Sequence, residues 1–113
     1  MEQKNKDVIQ KFYQEFFNEH IIKAADRYVR EHYIQHNPGV GQGREALKEA
    51  FAEKFVEHPE FCLNIKMMIA EKDMVAVYLK NIDQQGNTRC RVVDIYRLED
   101  GKLAEHWDVL QPC

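Results

Sequence analysis

The feature that most constrains this chain is its last stretch, Arg91 to Gln111, RVVDIYRLEDGKLAEHWDVLQ, where two runs of strand-forming residues flank Glu99-Asp100-Gly101. Such runs around an Asp-Gly pair are a hairpin signature. The turn type decides which side chains share a face. A two-residue Asp100-Gly101 loop would pair Glu99 with Lys102 and put Asp94 opposite Trp107, with Asp94 and Asp108 on opposite faces. A three-residue Glu99-Asp100-Gly101 loop, its glycine left-handed in a bulge, pairs Leu98 with Lys102, Asp94 with His106 and Val92 with Asp108. The second register separates the residues by character and is the one we predict. Val92, Asp94, Tyr96, Ala104, His106, Asp108 and Leu110 then share one face, and Val93, Ile95, Arg97, Leu103, Glu105, Trp107 and Val109 the other. Two carboxylates and an imidazole among Val92, Tyr96, Ala104 and Leu110 point to a polar pocket rather than a wet surface.

The rest of the chain supplies the layers around this hairpin. Asn5 to His20 carries Val8, Ile9, Phe12, Tyr13, Phe16 and Phe17 at helical spacing, and Ile21 to Arg30 is a second, shorter amphipathic helix. An extended segment, Glu31 to Pro38, follows, ended by the restriction Pro38 places on Asn37. Gly39-Val40-Gly41-Gln42-Gly43 is a loop without a phosphate-binding glycine pattern. Arg44 to Glu57 is a third helix, with Ala46, Leu47, Ala50, Phe51 and Phe55 on one side. From Phe61 the period drops to two, with Phe61, Leu63, Ile65, Met67 and Ile69 alternating against polar or small residues. A second strand, Met74 to Ile82, follows the Glu71-Lys72-Asp73 turn. Three helices and then a four-stranded antiparallel meander, with a short extra strand at Tyr33 to Gln35, read as α+β with the helices on one side of a curved sheet.

Composition narrows the function. The 113 residues form a single domain, residues 1–113, able to bury roughly two thirds of its unfolded surface unaided. A net charge of −3 from 16 basic and 19 acidic residues, with no basic stripe, excludes nucleic acid as a partner. No apolar run is long enough to span a membrane and the N-terminus lacks a signal peptide's apolar centre, so a cytoplasmic location is expected. Cys62, Cys90 and Cys113 form no metal-ligand pattern and suit a reducing compartment, with Cys62 and Cys90 as small packed residues. The outer sheet face, with Val93, Ile95, Trp107 and Val109, is apolar enough to suggest a homodimer.

The Tyr33-Ile34-Gln35-His36-Asn37-Pro38 segment, the glycine-containing loop before the Arg44 helix, and the closing Val93-Asp94-Ile95-Tyr96-Arg97, Asp100-Gly101-Lys102 and Glu105-His106-Trp107-Asp108 resemble the SnoaL-like polyketide cyclases. These belong to the nuclear transport factor 2-like superfamily, which also contains ketosteroid isomerase. The resemblance covers essentially the whole chain in element order. It implies a cone-shaped α+β barrel of three helices on a four- to five-stranded, mainly antiparallel sheet, usually dimeric through that sheet, with a pocket between sheet and helices. It also implies an intramolecular aldol condensation without metal or organic cofactor, in which a carboxylate on the last strand is the acid/base. Asp108 falls at that position. Asp94 occupies the place of a second polar residue, commonly histidine in the cyclases, that positions substrate or enolate.

The residues themselves support the same chemistry. Removing a proton next to a carbonyl needs a base within reach and a donor for the enolate oxygen. Asp108 is the candidate base, and Asp94, if protonated, the donor, as in ketosteroid isomerase. His106 is either a proton shuttle or the ion-pair partner of Asp94. His36, Tyr33, Tyr96, Phe16 and Phe51 are the candidate contacts to a small hydrophobic carbonyl ligand. His36, His106, Asp94 and Asp108 are metal-ligand types, but without a close His pair or HExxH-like helix no metal is expected. Because this fold also hosts binders, a non-catalytic small-molecule-binding protein is the alternative, and a dimerising module without a working pocket the third reading.

Overall fold

The computed structural model describes residues 1–111. Helix α1, Glu2–Phe12, runs without interruption into a π-helical segment, Tyr13–Asn18. The looser winding of that segment keeps Phe12, Tyr13, Phe16 and Phe17 all buried on one side of the chain, and such segments recur at functional sites. Helix α2 is confined to Ala24–Tyr28. The sequence extends it to Arg30, but Val29 already begins strand β1, Val29–Gln35. The short extra strand is therefore a seven-residue one that starts four residues before Tyr33. Helix α3, Arg44–Glu57, has the expected bounds. It starts from Gly43, whose φ of 90° suits glycine and whose N–H donates to Tyr33 O at 2.8 Å, tying the helix start to β1.

Strands β2, Leu63–Glu71, β3, Met74–Ile82, β4, Thr88–Glu99, and β5, Lys102–Leu110, complete a mixed sheet of order β1-β5-β4-β3-β2. The meander is antiparallel, and β1 adds to β5 in parallel. The sheet stays open, with β1 and β2 at its edges, and the α+β arrangement of three helices on one face is the predicted one. The core lies in between: Phe12, Phe16, Phe17, Phe51, Phe55 and Phe61 pack edge to face or stacked, over Val75, Val77 and Leu79 of β3.

Two bulges correct the expected strand patterns. In β2 the register slips between Ile65 and Met67, so Met68 and Ala70 pack on the core while Met67 and Ile69 are 55% and 63% exposed. A strict alternation had placed Met67 and Ile69 with Leu63. In the closing hairpin the loop is the two-residue Asp100-Gly101, both at positive φ (51° and 77°), and Glu99 pairs with Lys102. The slip comes one pair later, between Arg97 and Leu98. There Leu98 faces Leu103 and Arg97 faces Glu105, leaving Ala104 as the extra residue. The expected pairs are thus wrong: Asp94 faces Asp108, Tyr96 faces His106 and Val92 faces Leu110. The partners move by two residues from the expected register, an even number, so the face assignment of Asp94, His106 and Asp108 is preserved. Leu103, expected outside, is fully buried beside the bulge.

Candidate active site

The inner face of β3, β4 and β5 is a floor of paired rungs. Val75 pairs with Tyr96, Val77 with Asp94, Leu79 with Val92 and Asn81 with Cys90. On the other side of β4, β5 sets His106 beside Tyr96, Asp108 beside Asp94 and Leu110 beside Val92. Between this floor, α3 and the N-terminal helical segment lies a cavity of about 300 Å³, a size that holds a small molecule. Asp94, His106, Asp108, Tyr33, Tyr96 and Phe51 all line it.

Asp94 and His106, only 6% and 7% exposed, form a closed unit. His106 Nε2 lies 2.9 Å from Asp94 Oδ1, and Asp94 Oδ2 accepts a hydrogen bond from the Tyr13 hydroxyl. Tyr13 and Tyr96 hydroxyls meet at 2.8 Å, so Tyr96 donates to Tyr13 as Tyr13 donates to Asp94. On the far side of the ring, His106 Nδ1 is 2.6 Å from Gln35 Oε1. That Gln35 atom also receives the Asn37 N–H at 3.2 Å, and a backbone N–H can only donate, so it is an acceptor. His106 therefore presents an N–H to Gln35 and meets a carboxyl oxygen at its other nitrogen. The 2.9 Å contact between Nε2 and Oδ1 is thus a hydrogen bond that ties the ring to the carboxyl. Its ring is further held by Tyr96, 4.7 Å away and stacked.

Asp108 differs from its cross-strand partner. It is half-buried, and Asn37 Nδ2 donates to its Oδ2 at 2.8 Å. Its other oxygen has no hydrogen bond among the described residues. Tyr33 stands close by: its ring stacks over His106 at 6.4 Å. Burial, then the charges of Asp94 and Asp108, hold the Tyr33 phenol protonated well above the usual range. Burial and Asp94 do the same for Tyr13 and Tyr96. The site thus offers one open carboxylate, one phenol donor and a buried, hydrogen-bonded Asp94–His106 pair behind them.

Two of the expected ligand contacts lie elsewhere. His36 is on the outer face of the sheet, stacked on Trp107 at 4.9 Å and bonded to Glu105 at 2.7 Å. Those bonds to His36, and one from Arg97, hold Glu105 below the usual carboxylate range. Phe16 is fully buried behind Phe51, 5.6 Å between ring centroids, and supports the cavity wall without lining it. Conversely, Gln35, Asn37 and Tyr13 hold the polar groups in place, and sequence reasoning passed over all three. Tyr13 was indistinguishable from the aromatic stripe around it, while Gln35 and Asn37 meet partners 71 residues away. Among the cysteines, Cys62 is a half-buried free thiol, and Cys90 is buried, as expected of a small packed residue, and disulfide-bonded. Cys113 lies outside the described residues.

Asp94, His106 and Asp108 present ligand-type atoms within 4.8 Å of one another, a spacing a metal ion can use. Yet both oxygens of Asp94 and both nitrogens of His106 already have partners, so an ion there would have to break the network described above.

Comparison with known proteins agrees with this architecture. The family model described as SnoaL-like polyketide cyclase matches residues 7–112. A search of curated proteins finds no matching sequence. Similar solved structures include TsrD from Streptomyces laurentii, with 21% identity, TM-score 0.79, 96% of this chain and 89% of that one covered. A proposed isomerase of the SnoaL-like family from Agrobacterium tumefaciens shares 12% identity at TM-score 0.82, covering 96% and 98% of the two chains. A proposed polyketide cyclase from Bacillus cereus shares 24% identity at TM-score 0.81, covering 96% and 74%. At these identities the structures speak for the fold alone, while the match along nearly the whole sequence settles the family: the chain belongs to the SnoaL-like polyketide cyclases.

Proposed function

We propose that the protein is a cofactor-independent enzyme that abstracts a proton next to the carbonyl of a small hydrophobic compound, as in an aldol cyclisation or a keto-enol isomerisation. The observation that carries this reading is the difference between the two carboxylates that line the cavity: among the described residues Asp108 keeps one oxygen unbonded near a buried phenol donor, while both oxygens of Asp94 have partners. Asp108 takes the proton, the C–H electron pair becomes the enolate double bond, and the Tyr33 hydroxyl donates to the enolate oxygen. The enolate carbon then attacks a second carbonyl of the same substrate, or is reprotonated by Asp108 at another position. Asn37 keeps Asp108 aimed, and the hydrogen bonds of Asp94 to His106 and Tyr13 tie up the neighbouring carboxylate.

This assigns Asp94 and His106 to positioning rather than to direct proton transfer, because neither has an atom left for substrate. The test is turnover of a panel of apolar diketones by wild type and Asp108→Asn. The reading expects a loss of roughly 10² to 10⁴ in the variant with folding intact. A protein that only binds such compounds is the second reading, favoured by the apolar Leu79, Val92 and Leu110 rung beside the acids. It expects saturable binding that survives Asp108→Asn and no turnover in either protein.

The reading includes a homodimer through the outer sheet face, where Val93, Ile95 and Trp107 are half-buried and Val109 is exposed. No helix among the described residues is long and apolar enough to cross a membrane. A cytoplasmic location belongs to the same reading, and fractionation of the cells that make the protein tests it.

A further inference from the structure

The cavity has a second end that the proton chemistry leaves unused. Its outermost floor rung is Asn81 with Cys90, and Arg89 next to that rung lines the cavity together with Lys54 and His58 of and just beyond α3. Lys54 and His58 are four residues apart, on one side of the helix end. His58 and Arg89 converge on Glu60, their nitrogens 3.3 and 3.9 Å from its Oε1. Glu60 thereby pairs with the Arg89 guanidinium. Lys54 has no carboxylate partner among the described residues, and its ammonium stands over the Phe51 and Phe61 rings, 5.8 and 5.3 Å from their centroids. A cation held over aromatic rings at the rim of an apolar cavity is placed to meet an anion that enters with the ligand. The second sign is Asn81 Oδ1, which is buried and has no hydrogen-bond partner among the described residues. A buried acceptor left unmatched is costly, and a ligand donor would satisfy it.

The floor sets the distance between the two ends. Four residues of β4 separate Cys90 from Asp94, about 13 Å at roughly 3.3 Å per residue. The rung between them, Leu79, Val92 and Leu110, is apolar. We propose that the ligand of this cavity is an amphipathic acid: an apolar body, a carboxylate held by Lys54 and Arg89, and a hydroxyl or amide N–H next to that carboxylate for Asn81. This rests on the reading of the cavity as a site for a hydrophobic carbonyl compound and adds the charged end about 13 Å from the reacting carbon.

The test uses N-octanoylglycine and its methyl ester, which share body, length and N–H and differ in charge. Dissociation constants are measured by calorimetry for wild type, Lys54→Met and Arg89→Gln. The side chain of Arg89 and the ammonium of Lys54 lie at the cavity rim, and thermal melts confirm that both variants fold. Wild type should prefer the acid by about tenfold or more, the worth of a charge-assisted hydrogen bond. Lys54→Met should remove most of that preference while leaving ester binding unchanged, and Arg89→Gln should reduce it. Equal binding of acid and ester by wild type, an acid preference that survives both substitutions, or no saturable binding of the acid overturns the proposal. A charge preference in a protein without turnover supports it while removing the proton chemistry. Turnover without a charge preference does the reverse.

Discussion

Asp94 and Asp108 stand directly opposite each other across β4 and β5, and the hydrogen bonds around them give the two carboxylates different tasks. Like charges at opposed positions of a strand pair repel. Here the repulsion is relieved by the hydrogen bond between His106 and Asp94. The asymmetry comes from what surrounds the pair: Tyr13 and His106 close around Asp94, whereas among the described residues only Asn37 hydrogen-bonds to Asp108.

Replacing Tyr13 by Phe removes the donor to Asp94 Oδ2 and leaves a buried carboxyl oxygen unmatched. Stability should fall by about 1–3 kcal/mol in urea unfolding. A Tyr13→Phe midpoint equal to wild type would show that Asp94 does not depend on that bond.

His106→Gln deprives a buried carboxylate of its partner, and a loss of about 3–5 kcal/mol is expected. Asp94→Asn with His106→Gln should then cost clearly less than the two single changes added together, because the pair acts as a unit. Additive single and double variants would mean that Asp94 and His106 are independent.

The phenols of Tyr13, Tyr33 and Tyr96 are held protonated first by burial and next by the charge of Asp94. In the unfolded chain a phenol titrates near pH ~10. Because the folded values are raised, their contribution is complete below pH ~10 and is lost as pH rises beyond it, where the unfolded state releases protons first. Phenolate absorbance and circular dichroism followed together should show these three ionising only with unfolding. Full tyrosine ionisation in a still folded protein contradicts this.

The sharing of one sheet face by Asp94, His106 and Asp108 was legible in the sequence, because the register that groups them leaves a mostly apolar opposite face of Val93, Ile95, Leu103, Trp107 and Val109. Their pairing was not. The bulge sits at Ala104, within Leu103-Ala104, where no glycine marks it and either neighbour packs equally well. The slip in β2 was hidden for a related reason: Met67, Met68 and Ile69 are apolar in succession, so either parity looks buried. The supports of the site were the least legible part. Gln35 and Asn37 become recognisable only once β1 lies alongside β5, and that parallel pairing joins residues about seventy positions apart.

The central claim is that Asp108 is the base, and isotope exchange tests it without knowledge of the product. A bound apolar ketone carrying deuterium next to its carbonyl is incubated in ordinary water, and loss of the label is followed by NMR for wild type, Asp108→Asn and Asp94→Asn. The account predicts rapid exchange by wild type and a loss of roughly 10² to 10⁴ in Asp108→Asn, with Asp94→Asn keeping more activity than Asp108→Asn. Exchange by Asp108→Asn at the wild-type rate would contradict it.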